Sequence, residues 1–138
     1  MSNSIPVEMW SLLHARIVKV ARPRIEAGHY VDAVEVALKE VNSRVKQTYI
    51  AAGWGEKDGV DLMVAALGGV QPTIRLAQLT SESGRNIQEG YTKIFAGAMQ
   101  GIRNLKDHEN DEIDLERAWH LLAVASLLMH KLDEAACR

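Results

Sequence analysis

The chain has 138 residues, of which 47% are hydrophobic and 25% are charged, and its formal net charge at neutral pH is −2. This balance predicts one folded domain over residues 1–138 and excludes a disordered or polycationic chain, so any contact with nucleic acid needs a local basic patch. The single cysteine, Cys137, excludes a disulfide framework. No segment has the length and apolarity of a membrane span or the pattern of a signal peptide, so we expect a cytoplasmic protein without membrane contact.

Apolar residues recur at helical rather than alternating intervals, which predicts an all-α bundle of four or five helices. The first helical stretch covers residues 7–27, and Pro23 predicts a kink or a break into two short helices there because it lacks an amide hydrogen. Gly28 ends this stretch. The second helix is predicted over residues 30–52. Its apolar stripe consists of Val34, Leu38, Val41, Val45 and Tyr49. Its polar side is assigned to Glu35, Lys39, Asn42, Ser43 and Lys46.

The third predicted helix is short and covers residues 59–67. Asp58 stands at its N-cap position, and Gly68 and Gly69 end it. Within residues 71–85, residues 73–80 alternate partly in polarity, so a short strand and an ordered loop remain alternatives for this segment.

The fourth helix is predicted from residue 86 or 88 to residue 103. Gly97 and Gly101 lie four positions apart on one side of it and would let a neighbouring helix backbone approach closely. An acidic polar segment follows, and the fifth helix is predicted over residues 115–135.

Candidate chemistry lies where the fourth predicted helix ends. Arg103 is followed by polar Asn104, and His108 comes five positions after the arginine in a polar segment. These residue types suit phosphodiester cleavage, because a guanidinium fork stabilises developing phosphate charge and an imidazole transfers protons near neutral pH. Asn104 is expected to hold one of these groups by a hydrogen bond.

The spacing by itself is not specific, because Arg24 and His29 repeat it. The contexts differ, since Arg24 lies inside a helical stretch and is followed by apolar Ile25, whereas Arg103 lies at a helix-to-loop junction. A purely structural interpretation of Arg103 and His108 also remains open. In it, Arg103 binds carbonyl groups at the end of its own helix and His108 is a surface residue.

We expect neither a metal ion nor another cofactor. His14, His120 and His130 are interpreted as structural side chains in helices, without a carboxylate at metal-ligand spacing. The acidic run that begins at Asp107 does not match a calcium loop, because Glu112 stands where such a loop requires glycine.

The arginine, the polar residue and the histidine, late in a helical bundle, resemble the motif of the HEPN superfamily. More narrowly, the chain is similar to a bacterial and phage family of Ymh or TIGR-type hypothetical proteins over roughly residues 8–134. The segments that carry this similarity are Ala27–Ala37, Glu89–Ala98 and Met99–Glu109.

The resemblance implies a HEPN-like fold and a metal-independent endoribonuclease of phage defence or a toxin–antitoxin system. It implies a homodimer that binds RNA between two facing motifs, with an antitoxin or defence protein as a further partner. Attack of a ribose 2′-hydroxyl on the adjacent phosphate would leave a 2′,3′-cyclic phosphate. The implied catalytic residues are Arg103, Asn104 and His108. Further contacts in the cleft are expected from His29, Tyr30, Lys106, Asp107 and Glu109.

Some HEPN proteins have lost activity, which keeps a second interpretation open. In it, the chain is a non-catalytic module for dimerisation or for binding a partner protein or nucleotide.

Overall fold

The computed structural model describes residues 4–105 and 113–136, and within these ranges all regular secondary structure is α-helical. The described residues form six helices, which are α1 (Val7–Trp10), α2 (Ala15–Glu26), α3 (Tyr30–Ala51), α4 (Gly59–Leu67), α5 (Glu82–Gly101) and α6 (Leu115–Ala136). The all-α prediction is confirmed, whereas the predicted count of four or five helices is too low. None of the described helices combines the length and apolarity needed to cross a membrane.

The first helical stretch is interrupted at residues 11–14 and not at Pro23, so the predicted position of the break is wrong. A new helix starts after His14 because its Nδ1 accepts a hydrogen bond from the amide of Arg16 at 3.1 Å and so caps α2. Pro23 lies in the last part of α2, where it removes only one hydrogen bond of the helix.

Glycines follow α2 and α3, and the one after α2 is Gly28, as predicted. Gly28 and Gly53 both have left-handed backbone, with φ of 82° and 99°. After α3, the amide of Trp54 donates to the carbonyl of Tyr49, and the two rings stack with centroids 6.1 Å apart. This apolar contact across a glycine cap fixes the direction in which the chain leaves α3 toward α4.

The central helix is α3, which packs against α2, α4, α5 and α6. All five residues of its predicted apolar stripe are buried. Phe95 of α5 and Leu122 of α6 are fully buried in the same apolar cluster. The helical periodicity of α3 therefore predicted its buried face correctly.

An ordered loop, and not a strand, connects α4 to α5. Buried Gln88 of α5 holds this loop, since its Oε1 accepts the amide of Leu76 at 2.7 Å. Its Nε2 donates to the carbonyls of Leu67 at 2.8 Å and Ile74 at 3.0 Å. Because this side chain satisfies polar groups of the loop backbone, the segment needs no partner strand.

Helix α5 begins at Glu82, earlier than the predicted start at residue 86 or 88. Ser81 caps it, with Oγ accepting the amide of Gly84 at 3.0 Å. Glycine is a common loop residue, and the predicted start of this helix lies after Gly84, but Gly84 serves close packing inside the helix. A Cβ added to it would lie 1.6 Å from the carbonyl oxygen of Gln78.

Gly97 and Gly101 are exposed, and no atom lies within 4 Å of a Cβ added at either position. The expected close approach of a neighbouring helix is therefore not made by the described residues of this chain.

Helices α4 and α5 run antiparallel. Thr92, in the middle of α5, donates through Oγ1 to the carbonyl of Leu67, the last residue of α4, at 3.2 Å. At the other end, a Cβ added to Gly59 would lie 3.4 Å from Nη2 of Arg103. The start of α4 therefore lies beside the residues that follow α5.

Candidate functional site

Arg103 lies just beyond α5, and its backbone amide donates to the carbonyl of Ala98 at 3.1 Å. Its side chain is only 17% exposed. Nη1 of the guanidinium donates to Oδ1 of Asp58 at 3.2 Å. The described side-chain hydrogen bond of Arg103 thus goes to a residue 45 positions earlier in the chain, and not to carbonyls of its own helix as the structural alternative required.

Asn42, on the central helix α3, fixes the position of Asp58 in this ion pair. Its residue exposure is 8%, and Nδ2 donates to Oδ1 of Asp58 at 2.6 Å. Its Oδ1 accepts the amide of Gly59 at 3.1 Å. The same carboxylate oxygen of Asp58 therefore accepts from both Asn42 and Arg103, which connects the arginine to the core.

Asp58 precedes α4 as the sequence predicted, but its side chain makes no capping hydrogen bond to that helix. The carboxylate is instead directed to Asn42 and Arg103. Gly59 follows with φ of 59°, a left-handed conformation that favours glycine, and the guanidinium of Arg103 lies directly beside it.

The pKa of Asp58 lies below its ordinary value. Partial burial acts to raise the pKa, but the hydrogen bonds from Asn42 and Arg103 and the charge of Arg103 outweigh this effect. Asp58 therefore stays ionised at neutral pH beside the arginine.

We call Asn42, Asp58, Gly59 and Arg103 the Arg103 site. It gathers residues from α3, from the start of α4 and from the end of α5. Among the described residues, one hydrogen bond is made by the five N–H donors of the guanidinium. The site therefore presents a permanently charged cation that an ionised carboxylate holds in place.

The other predicted catalytic residues are only partly placed. Asn104 follows Arg103 directly and is half-buried. The remaining members of the predicted motif lie outside the described residues: Lys106, Asp107, His108 and Glu109.

His29 and Tyr30 lie at the start of α3, away from the Arg103 site. Asn42, the α3 residue that reaches that site, is about 18 Å further along the helix axis, at 1.5 Å per residue. The structure brings Asn42, Asp58 and Arg103 together, and it does not bring His29 or Tyr30 to them.

Asn42 was assigned to the polar side of its helix, and this assignment is wrong because the residue is buried. The spacing of Asn42 from the core residues of α3 does indicate that it is buried. Asn42 lies four positions after Leu38 and three before Val45, so it falls on the face that these core residues define. A polar residue in such a position marks a buried hydrogen-bonding group.

A second polar cluster joins α2 to α6 through His14, His130 and Asp133. One ligand atom from each lies within 4.8 Å of the others. The interpretation that no carboxylate stands at metal-ligand spacing is therefore wrong, because Asp133 follows His130 by three positions on α6.

The chemistry of these donors fits a hydrogen-bonded network better than a metal centre. Nδ1 of His14 accepts the amide of Arg16, so the proton of the neutral ring lies on Nε2, which donates to Asp133 at 2.7 Å. If Nε2 of His14 bound a metal ion, the ring proton would have to lie on Nδ1. Nδ1 could then no longer accept the hydrogen bond from the Arg16 amide.

Arg44 donates to the other oxygen of Asp133. Burial acts to raise the pKa of Asp133, but the hydrogen bonds from Arg44 and His14 and the charge of Arg44 lower it below its ordinary value. The cluster therefore contributes an ionised carboxylate that joins α2, α3 and α6.

Fold and site together define an all-α protein with an arginine fixed between helices by an ionised carboxylate. Residues 11–132 match the model of a family described as a protein of unknown function, Hypoth_ymh, and the chain belongs to this family. The match includes the whole Arg103 site, and it confirms the narrower of the two resemblances. No curated protein and no solved structure matches the chain.

Proposed function

We propose that this protein is a metal-independent endoribonuclease of the HEPN type that acts in phage defence or a toxin–antitoxin system. In this proposal the whole chain is one domain. Two copies form a homodimer in which the Arg103–His108 motifs face each other around one RNA phosphate. The observation that carries the proposal is the arginine itself, which is fixed by Asp58 at the junction immediately before Asn104.

The reaction requires a cation at the phosphate and two proton transfers. The ribose 2′-hydroxyl attacks phosphorus and loses its proton to one His108, while the bond from phosphorus to the 5′-oxygen breaks. The partner's His108 donates a proton to that leaving oxygen. Arg103 stabilises the charge of the phosphorane, and the products are a 2′,3′-cyclic phosphate and a 5′-hydroxyl.

The two arginines at equal spacing from a histidine differ in what they bind, which favours Arg103 as the functional one. Nη1 of Arg24 donates to the carbonyl of Val20 in its own helix at 2.9 Å. Arg103 instead crosses to another element and is more than four-fifths buried. Confining an arginine in this way restricts its rotamers and orients the remaining donors.

One observation favours the non-catalytic module as a second candidate. The pairing of Arg103 with Asp58 also serves to connect α4 and α5, as a structural ion pair does. In this candidate the motif stabilises the fold, and the protein binds a partner protein or nucleotide without cleaving RNA.

The experiment is an RNA cleavage assay in EDTA with several structured and unstructured RNAs. Wild type is compared with Arg103→Ala, Asn104→Ala and His108→Ala, and Arg24→Ala is the matched control because it removes an arginine with the same spacing to a histidine. Dimer content is matched by light scattering. A fully 2′-O-methylated RNA tests the nucleophile, since it lacks the attacking hydroxyl.

We expect cleavage by wild type and by Arg24→Ala, products with a 2′,3′-cyclic phosphate, and loss of at least ~100-fold in rate with Arg103→Ala or His108→Ala. The methylated RNA stays intact. An inactive wild type on every RNA refutes the proposal and favours the binding module. Cleavage that survives both substitutions refutes the assigned site.

A further inference from the structure

We propose that Asp58 is a positioning residue, which orients the guanidinium of Arg103 for the phosphate in the reaction proposed above. The inference rests on that proposed function and adds a residue that is not part of the Arg103–His108 motif. Asp58 acts through Arg103 and does not itself contact the RNA.

Asp58 is suited to this role because its own position is fixed. Asn42 donates to the same Oδ1 that accepts from Arg103, at 2.6 Å against 3.2 Å. Asn42 in turn is buried on the central helix and bonds the amide of Gly59. The orientation of Arg103 is therefore determined by a rigid helix through one carboxylate.

The location of the guanidinium favours a negatively charged partner beside it. Nη2 lies 3.4 Å from the position of a Cβ on Gly59, the first residue of α4. The N-terminus of a helix carries a partial positive charge, which repels a guanidinium. Since Asp58 does not cap α4, its carboxylate is directed toward the arginine and offsets this repulsion.

The solvent exposures of the Arg103 and Asp58 side chains also indicate that Arg103 depends on the carboxylate. The side chain of Arg103 is 17% exposed, whereas that of Asp58 is 56% exposed. Without the carboxylate, a largely desolvated cation would remain beside the helix terminus, and it would turn outward to regain water. A displacement of about 1 Å of a catalytic group is enough to reduce a rate by about 100-fold.

The test compares steady-state kinetics of RNA cleavage for wild type, Asp58→Ala and Asp58→Asn. Asparagine keeps an oxygen that accepts from Asn42 and Arg103 but removes the charge. Asp61→Ala is the matched control, because Asp61 is an exposed carboxylate three positions later in the first turn of α4. Thermal unfolding shows that each variant is folded at the assay temperature.

We expect Asp58→Ala to lower kcat by about 10- to 100-fold with less than about a threefold change in KM, because orientation matters most in the transition state. Asp58→Asn retains more of kcat than Asp58→Ala does, and Asp61→Ala retains the wild-type kcat.

Asp58→Ala at the wild-type rate, with Arg103→Ala inactive, overturns the inference and leaves the proposed function standing. A loss of activity that only follows the folded fraction of each Asp58 variant also overturns it. An inactive wild type on every RNA overturns the proposed function and this inference together. If Asp58→Ala does not fold, the comparison of Asp58→Asn with Asp61→Asn decides in the same way.

Discussion

Replacement of Asn42 by alanine tests whether this buried amide holds the Arg103 site together. The substitution removes the acceptor of the Gly59 amide, and a buried donor without a partner costs about 1–3 kcal/mol. It also removes the hydrogen bond to Asp58, but that carboxylate is more than half exposed and regains water, so this loss is about 1 kcal/mol. We therefore expect the free energy of unfolding to fall by about 2–4 kcal/mol.

The assay is equilibrium unfolding in urea, with Gln47→Ala as the matched control on the same helix because Gln47 is exposed. The midpoint of Asn42→Ala moves to lower urea at an unchanged m-value, and the control stays within about 0.5 kcal/mol of wild type. If Asn42→Ala unfolds at the same midpoint as Gln47→Ala, the amide does not support the site and the reasoning is refuted.

Four further predictions concern other parts of the fold. Gly84→Ala places a Cβ against the carbonyl of Gln78, so we expect a loss of stability above about 3 kcal/mol or no folded protein by circular dichroism. Gly97→Ala meets open space on an exposed helix, and its thermal midpoint should rise with a gain of about 0.5–1 kcal/mol. Gln88→Leu leaves loop groups unpaired and should cost about 2–4 kcal/mol, with faster hydrogen exchange at Leu76. Because the pKa of Asp133 is lowered on folding, its contribution to stability is present above the ordinary aspartate value and is lost as pH falls through the folded pKa. Wild type and Asp133→Asn should therefore differ most at neutral pH and converge in acid, and a constant difference from pH 7 to about pH 3 would contradict this.

The sequence predicted the bounds of a helix correctly where capping residues or glycines adjoin an apolar run. The bounds of α4 agree with the prediction because Asp58 and the Gly68–Gly69 pair enclose a short apolar run. The start of α5 was missed, since Gly84 resembles a loop residue while its reason, contact with Gln78, comes from tertiary packing. Propensity and periodicity carry no information about such contacts.

In the candidate site, too, some residues could be predicted from local sequence and others depend on tertiary packing. Arg103 stands in a motif that spacing and context single out. Its partners Asp58 and Asn42 are distant in sequence, and nothing local connects them to it. Only Asn42 had a recognisable signal, as a polar residue on an apolar helix face. Sequence therefore indicated the cation, and packing determined what orients it.

The separation of these partners along the chain bears on when an oriented arginine first exists during synthesis. Asp58 and Arg103 are 45 positions apart, and the docking of α5 beside α4 must precede their pairing. A nascent or partly unfolded chain contains Arg103 as a freely rotating side chain, since closing so long a loop is favourable only with the surrounding core in place. Under the proposed function, RNA cleavage would therefore begin only after α5 has docked beside α4.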